Sequence, residues 1–273
     1  MRTVEWLGGA VERGSVRNAA DEAAGGSPAA GESRPRRPKA SELIARRLAT
    51  HIIESGLEAG AKLPTERQMI ESMGVGRTTL REALRLLETR GVITIKAGPR
   101  GGPVVRRPRP SDLGEALTLI LQFEGSAVRD VMEAREAFEP MLARLAARRI
   151  TAAQLGELQQ TVDAMTAHAG DQDVFLRQSR RFHALVAGAC GNAALAAFNE
   201  TLRSIAASGF DGVQHPAERR AAVTAAHQRI VAALRAGDED AAAAAMADHV
   251  DDVGRFWRRT YGDLVARPVR WVR

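Results

Sequence analysis

The chain has 273 residues, 45% of them apolar, and a formal net charge of +6, enough for one or two domains with real cores. Its single cysteine, Cys190 within AGACGNAAL, excludes an intramolecular disulfide framework, fits a reducing compartment and reads as a buried structural thiol. No apolar run approaches the roughly 18 residues that cross a bilayer, and the N-terminus lacks the basic start and apolar core of a signal peptide, so a cytoplasmic protein is expected.

Residues 1–37 are rich in Gly, Ala, Ser, Glu and Arg without sustained periodicity, which predicts a disordered extension; a misplaced start codon would also explain the segment. The cluster Arg34, Arg36, Arg37 and Lys39 is read as a solvated linker, with loose contact to DNA phosphates as the alternative. From Lys39 to Ser55, Leu43, Ile44, Leu48, Ile52 and Ile53 keep helical spacing. Thr65 followed by Gln68 has the spacing of a capping box, and Met69, Ile70 and Met73 give that second helix an apolar face ending at Gly74. After the GVG turn, Leu80, Ala83, Leu84 and Leu87 fall on one stripe of a third helix, while Arg77, Arg81 and Arg85 recur on the opposite one. VITIKAGPRGGPVV then reads as two short strands around a glycine-rich turn.

A capped helix, a tight turn, a helix with arginine along its outer face and a basic hairpin make a winged helix-turn-helix over 38–105. Three arginines four residues apart are by themselves most often a solvated face; the combination with the capped helix and the hairpin points to DNA. Arginine at the start of a helix in a major groove can donate two parallel hydrogen bonds to guanine O6 and N7. Charge agrees: residues 38–109 carry a net +7, residues 1–37 a net +1 and residues 110–273 a net −2, so the positive excess sits where counterions would be displaced from phosphate.

Arg106 to Pro110, RRPRP, form a stiff exposed linker and the predicted domain boundary. Beyond it the pattern is wholly helical, with candidate helices over 111–123, 129–148, 151–168, 171–190, 193–209, 217–236 and 238–261, and a tail over 262–273. The alanine-rich composition, notably Ala241 to Ala245, predicts closely approaching helices in an all-α antiparallel bundle. The fold class is therefore mainly α. His183, His227 and His249 sit on three different predicted helices; singly each reads as an ordinary surface or core histidine, and no HxxxH pair fixes a geometry.

LPTERQMIESMGVGRTTLREALRLLETRGVI closely resembles the DNA-binding signature of the GntR family of bacterial transcription regulators. That resemblance implies operator contacts by Arg67, Arg77, Thr78, Thr79 and Arg81, and by Gly98 in the wing. One departure is Gly76, where the family usually has Ser or Thr; glycine caps a helix only a few tenths of a kcal/mol less well. VMEAREAFEPMLARLAARR, FH with GN eight residues on, HQRIVAALRAGDEDAA and MADHV together resemble the FCD ligand-sensing domain of the FadR-like branch. By that resemblance the protein is a dimer reading a pseudo-palindrome, and an effector bound in the bundle alters DNA binding through the 106–110 linker.

The same resemblance implies an effector site formed by Arg135, Ser179, His183, His227 and His249, in which metal-binding members hold a divalent metal such as zinc on three histidines and an aspartate. The aspartate position is Ser179 here, so the expected ligands reduce to His183, His227 and His249, with Asp173, Asp248 and Asp252 as candidates to compensate. Three imidazoles with water or a bound carboxylate can hold zinc. Arg135 either points into the cavity or pairs with Glu139 one turn along its helix, a surface contact worth a few tenths of a kcal/mol. A cavity with an arginine and three histidines favours a small organic acid. A repressor responding to such an acid is the expected function. A zinc-dependent hydrolase built on the histidines and a sequence-independent architectural DNA protein are the alternatives; neither HExxH nor GxSxG is present.

Overall fold

The computed structural model describes residues 38–98, 101–210 and 213–271; the expected disordered extension over 1–37 lies outside them. The chain divides between Pro108 and Arg109 into two compact units.

The first unit contains α1 (Ala40–Glu54), α2 (Glu66–Met73) and α3 (Arg77–Thr89), then β1 (Ile93–Lys96) and β2 (Gly102–Val105), paired antiparallel with Ile93 opposite Val105 and Lys96 opposite Gly102. The start of α2 is held by the capping box: Thr65 N donates to Gln68 Oε1 at 2.9 Å, and Gln68 N donates to Thr65 Oγ1 at 3.4 Å. Gly74 ends α2 at φ +65°, a left-handed conformation that costs glycine nothing and an L side chain about 1 kcal/mol or more. Gly76 precedes α3 with no side-chain cap. Ile44, Leu48 and Ile52 from α1 meet Met69, Met73, Leu80, Leu84, Leu87 and Ile93 in one core. Because the apolar stripe of α3 is consumed there, its arginine stripe must face outward.

The second unit is helical throughout: α4 (Pro110–Phe123), α5 (Val128–Arg149), α6 (Ala152–Ala167), α7 (Gln172–Ala189), α8 (Ala193–Ser208), α9 (Ala217–Ala236), α10 (Glu239–Thr260) and α11 (Gly262–Val265). Pro110 is already the first residue of α4, where its missing N–H costs nothing. Asp171, Asn192 and Asp238 cap α7, α8 and α10 through their side chains. Ala143, Ala146 and Ala242 are buried together with Leu158, Phe182, Ile230, Leu234 and Met246, which is where small residues let helices approach closely. Of the run Ala241 to Ala245, only Ala242 is buried.

The stretch 262–273, expected as a tail, is built into this unit as far as it is described. Val265 and Val269 are buried, Val269 N donates to Ser126 O at 2.8 Å, and Val128 N donates to Arg267 O at 3.0 Å. A four-residue helix and a two-bond bridge are too short to leave a periodic signature, so sequence patterning misses them. Among the described residues, no helix is long and apolar enough to cross a membrane.

Candidate functional site

On the first unit, Arg67, Arg77, Thr78, Arg81 and Gly98 are exposed and Thr79 is partly so. Arg77, Thr78, Thr79 and Arg81 occupy the first two turns of α3, and Gly98, at φ +101°, lies in the wing turn and accepts from Gly101 N at 2.9 Å. Arg81 is already engaged: its Nε lies 2.8 Å from Glu66 Oε2 at the start of α2. Arg77, Thr78 and Arg81 lie on the outward face of a helix that buries Leu80, Ala83, Leu84 and Leu87 on its other side.

In the second unit the three histidines come together. His183 on α7, His227 on α9 and His249 on α10 are all buried. Their Nε2 atoms converge: His249 Nε2 is 3.3 Å from His227 Nε2 and 3.3 Å from His183 Nε2. His227 is held flat against Phe182, with ring centroids 3.9 Å apart and planes 5° from parallel.

His183 turns its other nitrogen to a carboxylate. Nδ1 lies 2.5 Å from Glu139 Oε2, and Glu139 is almost fully buried. Its second oxygen takes Arg135, with Nε and Nη2 both 2.8 Å from Oε1, and Arg203 Nη1 stands 3.6 Å away. The Arg135–Glu139 pair therefore exists, but as a part-buried pair at the histidine cluster and not as a surface contact.

Burial opposes the charge of Glu139, yet His183, Arg135 and Arg203 outweigh it and hold its carboxyl well below the usual range. Burial pushes His183 down to about 4 and, with the neighbouring imidazoles, drives His227 and His249 well below their ordinary value. Burial and then Arg135 lower Arg203 to about 10. Near neutral pH the group thus consists of three neutral imidazoles, one carboxylate and two guanidiniums.

The donor set fits a divalent metal. With a proton on Nδ1 facing Glu139, His183 Nε2 presents a lone pair. His249 Nε2 has two imidazole neighbours and at most one proton, so protons satisfy at most one of its two contacts. A cation would receive all three lone pairs: two nitrogens bound tetrahedrally to zinc at about 2.0–2.1 Å stand about 3.3–3.4 Å apart, which the two His249 pairs already match, and all three ligand atoms lie within 4.8 Å of one another. His183, His227 and His249 would be its ligands. With a metal bound, the Glu139 contact would serve as the carboxylate–histidine support that fixes tautomer and ring orientation at such sites.

Of the aspartates expected to compensate for Ser179, none joins the cluster, whose ligand-type residues are the three histidines. Asp252 is committed to Arg219. Asp248 and Asp173 are exposed, and Asp173 lies ten residues from His183 on the same helix, about 15 Å along it. Ser179, one turn from His183, lines the cavity above the histidines. That cavity has a volume of about 530 Å³, and Arg135, His183, Arg203 and His249 also line it, whereas His227 sits behind it. Glu139 and Arg203 are the residues that sequence reasoning passed over. Glu139 was visible only as the partner of Arg135, and Arg203, in TLRSI, carried no signal.

Comparison with known proteins agrees with both units. Residues 40–101 match the family described as "Bacterial regulatory proteins, gntR family" and residues 130–252 match the FCD domain. The chain is 32% identical over 244 residues to the "Putative L-lactate dehydrogenase operon regulatory protein" of Escherichia coli (strain K12), covering 85% of this chain and 92% of that protein. It is 31% identical over 247 residues to the "HTH-type transcriptional repressor NanR" of Edwardsiella tarda (strain FL6-60), with 85% and 92% covered. Among solved structures it is similar to Streptococcus agalactiae GntR, with a TM-score of 0.62, 31% identity, and 79% of this chain and 99% of that one covered. These relatives are regulators and not enzymes, which sets aside the hydrolase reading. With a basic helix-turn-helix face on one unit and a histidine-floored cavity in the other, this chain belongs to the gntR family of bacterial regulatory proteins and is a ligand-responsive, DNA-binding transcription regulator with an FCD domain.

Proposed function

We propose that the protein is a cytoplasmic repressor that binds a pseudo-palindromic operator as a homodimer and leaves it when a small organic acid occupies the cavity of the second unit. The observation that carries this reading is the floor of that cavity, where Arg135 and Arg203 stand beside the imidazoles of His183 and His249, with His227 behind them. Neutral imidazoles leave a divalent metal's charge uncompensated, and the guanidiniums add to it. An anion therefore gains both Coulomb attraction and paired hydrogen bonds on entering. A metal held there would supply a Lewis-acidic position for a carboxylate oxygen; Arg135 orients the carboxylate, and Glu139 fixes His183.

Operator contacts are assigned to Arg67, Arg77, Thr78, Thr79, Arg81 and Gly98. Repression is supported by the name of the NanR relatives, and a carboxylate effector is consistent with the operon named for the Escherichia coli relative. The switch obeys linkage: the acid weakens operator binding only by the factor by which it prefers the state that does not bind DNA. The test is fluorescence anisotropy with the protein's own promoter fragment and a random duplex, titrated with a panel of small carboxylates. Selective binding that a carboxylate relieves, and that Arg135→Ala makes unresponsive, is the expected outcome. Equal binding to both duplexes, or release unaffected by Arg135→Ala, rejects the reading.

A further inference from the structure

The cavity above the histidines is not uniform along its length. Phe175 precedes His183 by eight residues on α7, and Trp257 follows His249 by eight on α10. At 1.5 Å per residue each pair spans about 12 Å along its helix. The two far ends meet: His215 stands 5.5 Å from Phe175 and 5.3 Å from Trp257, ring centroid to centroid, and Phe210 lies 4.0 Å from Trp257. On α5 the order is the same, with Glu139 and Arg135 toward the histidines and Met132 packed with Trp257. The cavity therefore grades from an ionic floor to an end about two helical turns away where Phe175, Phe210 and Trp257 gather, with Gln172, Asp173, Gln214 and Arg219 also on the lining. Val250, Val253, Ala206 and Ala207 line the space between.

A molecule the size of a two- or three-carbon hydroxy acid would satisfy the floor and leave most of the 530 Å³ unfilled. A polyhydroxylated acid would fill it, but the hydroxyls turned to Phe175, Phe210 and Trp257 would lose hydration that the rings do not replace. Resting on the proposed function, we propose that the effector is an aryl-substituted carboxylic acid, with its carboxylate at Arg135 and the histidines and its ring against Phe175, Phe210 and Trp257. Burying a ring in this way adds transfer free energy and face-to-edge contacts that the head group alone cannot supply. The floor would then provide acidity selection and the far wall discrimination among acids.

The experiment is calorimetric titration of the full-length protein with propanoate, 3-phenylpropanoate and D-glucuronate, which share one carboxylate and differ in the body attached to it. 3-Phenylpropanoate is expected to bind at least tenfold more tightly than either of the others. Phe210→Leu, chosen because Phe210 is only half-buried and the helical fold, checked by circular dichroism, should survive it, is expected to cut 3-phenylpropanoate affinity severalfold and propanoate affinity much less. If propanoate binds as tightly as 3-phenylpropanoate, in an Arg135-dependent manner, the aryl assignment is overturned and the acid-responsive reading stands. Tightest binding by glucuronate overturns it in the same way, and no binding by any of the three overturns both.

Discussion

Glu139 Oε2 lies 2.5 Å from His183 Nδ1, and this contact decides which nitrogen of the imidazole faces the cavity. The carboxylate is itself held by Arg135 and Arg203, so a chain of charged contacts runs from α8 and α5 to the histidine cluster. Breaking it by Glu139→Gln keeps the side-chain shape and removes the charge. Zinc affinity, measured by competition with a fluorescent chelator, should fall about tenfold to a hundredfold, the range typical of such supporting carboxylates. Helical content should be retained. Unchanged zinc affinity would remove Glu139 from the positioning role.

Ser179 lies one turn before His183 and lines the same cavity. Ser179→Asp would place a carboxylate on the face of α7 that carries His183. The variant should hold zinc at least tenfold more tightly than the parent protein, because a hard anionic ligand replaces a neutral hydroxyl. It should also bind carboxylates more weakly, since the added charge repels them and fills their position. Prolonged dialysis against EDTA, followed by metal and carboxylate titrations, checks both signs. A variant that gains affinity for zinc and for carboxylates alike would contradict the assignment.

Arg81 faces outward but is paired with Glu66 at 2.8 Å. An exposed pair of this kind is worth about 0.2–1 kcal/mol, less than the roughly 1–3 kcal/mol of a bidentate arginine–guanine contact. Glu66→Ala should therefore tighten operator binding modestly, by about fivefold at most. Arg77→Ala should weaken it by about 1–3 kcal/mol and relax base preference. Neutralising Arg107 should instead weaken all duplexes alike and flatten the dependence on salt. Anisotropy titrations at several salt concentrations separate the three behaviours, and a weaker operator complex in Glu66→Ala would show that Glu66 helps to place Arg81.

What the sequence determined by itself was local. Thr65 and Gln68 and the stripe of Leu80, Leu84 and Leu87 announced their helices because capping and periodicity act over a few residues. The helix-turn-helix was legible for the same reason: its two helices and hairpin are contiguous, and its basic face is the complement of its apolar one. The tertiary structure alone decided what lies far apart in the chain. It brought His183 and His227 each within 3.3 Å of His249, placed Glu139 behind His183, added Arg203 from another helix, and set Trp257 and Phe175 at the opposite end of one cavity. It also seated Val265 and Val269 in a core where the pattern suggested only a tail. Such pairings depend on how whole helices pack, and packing is a sum over many small contacts that no single residue's neighbours in sequence record.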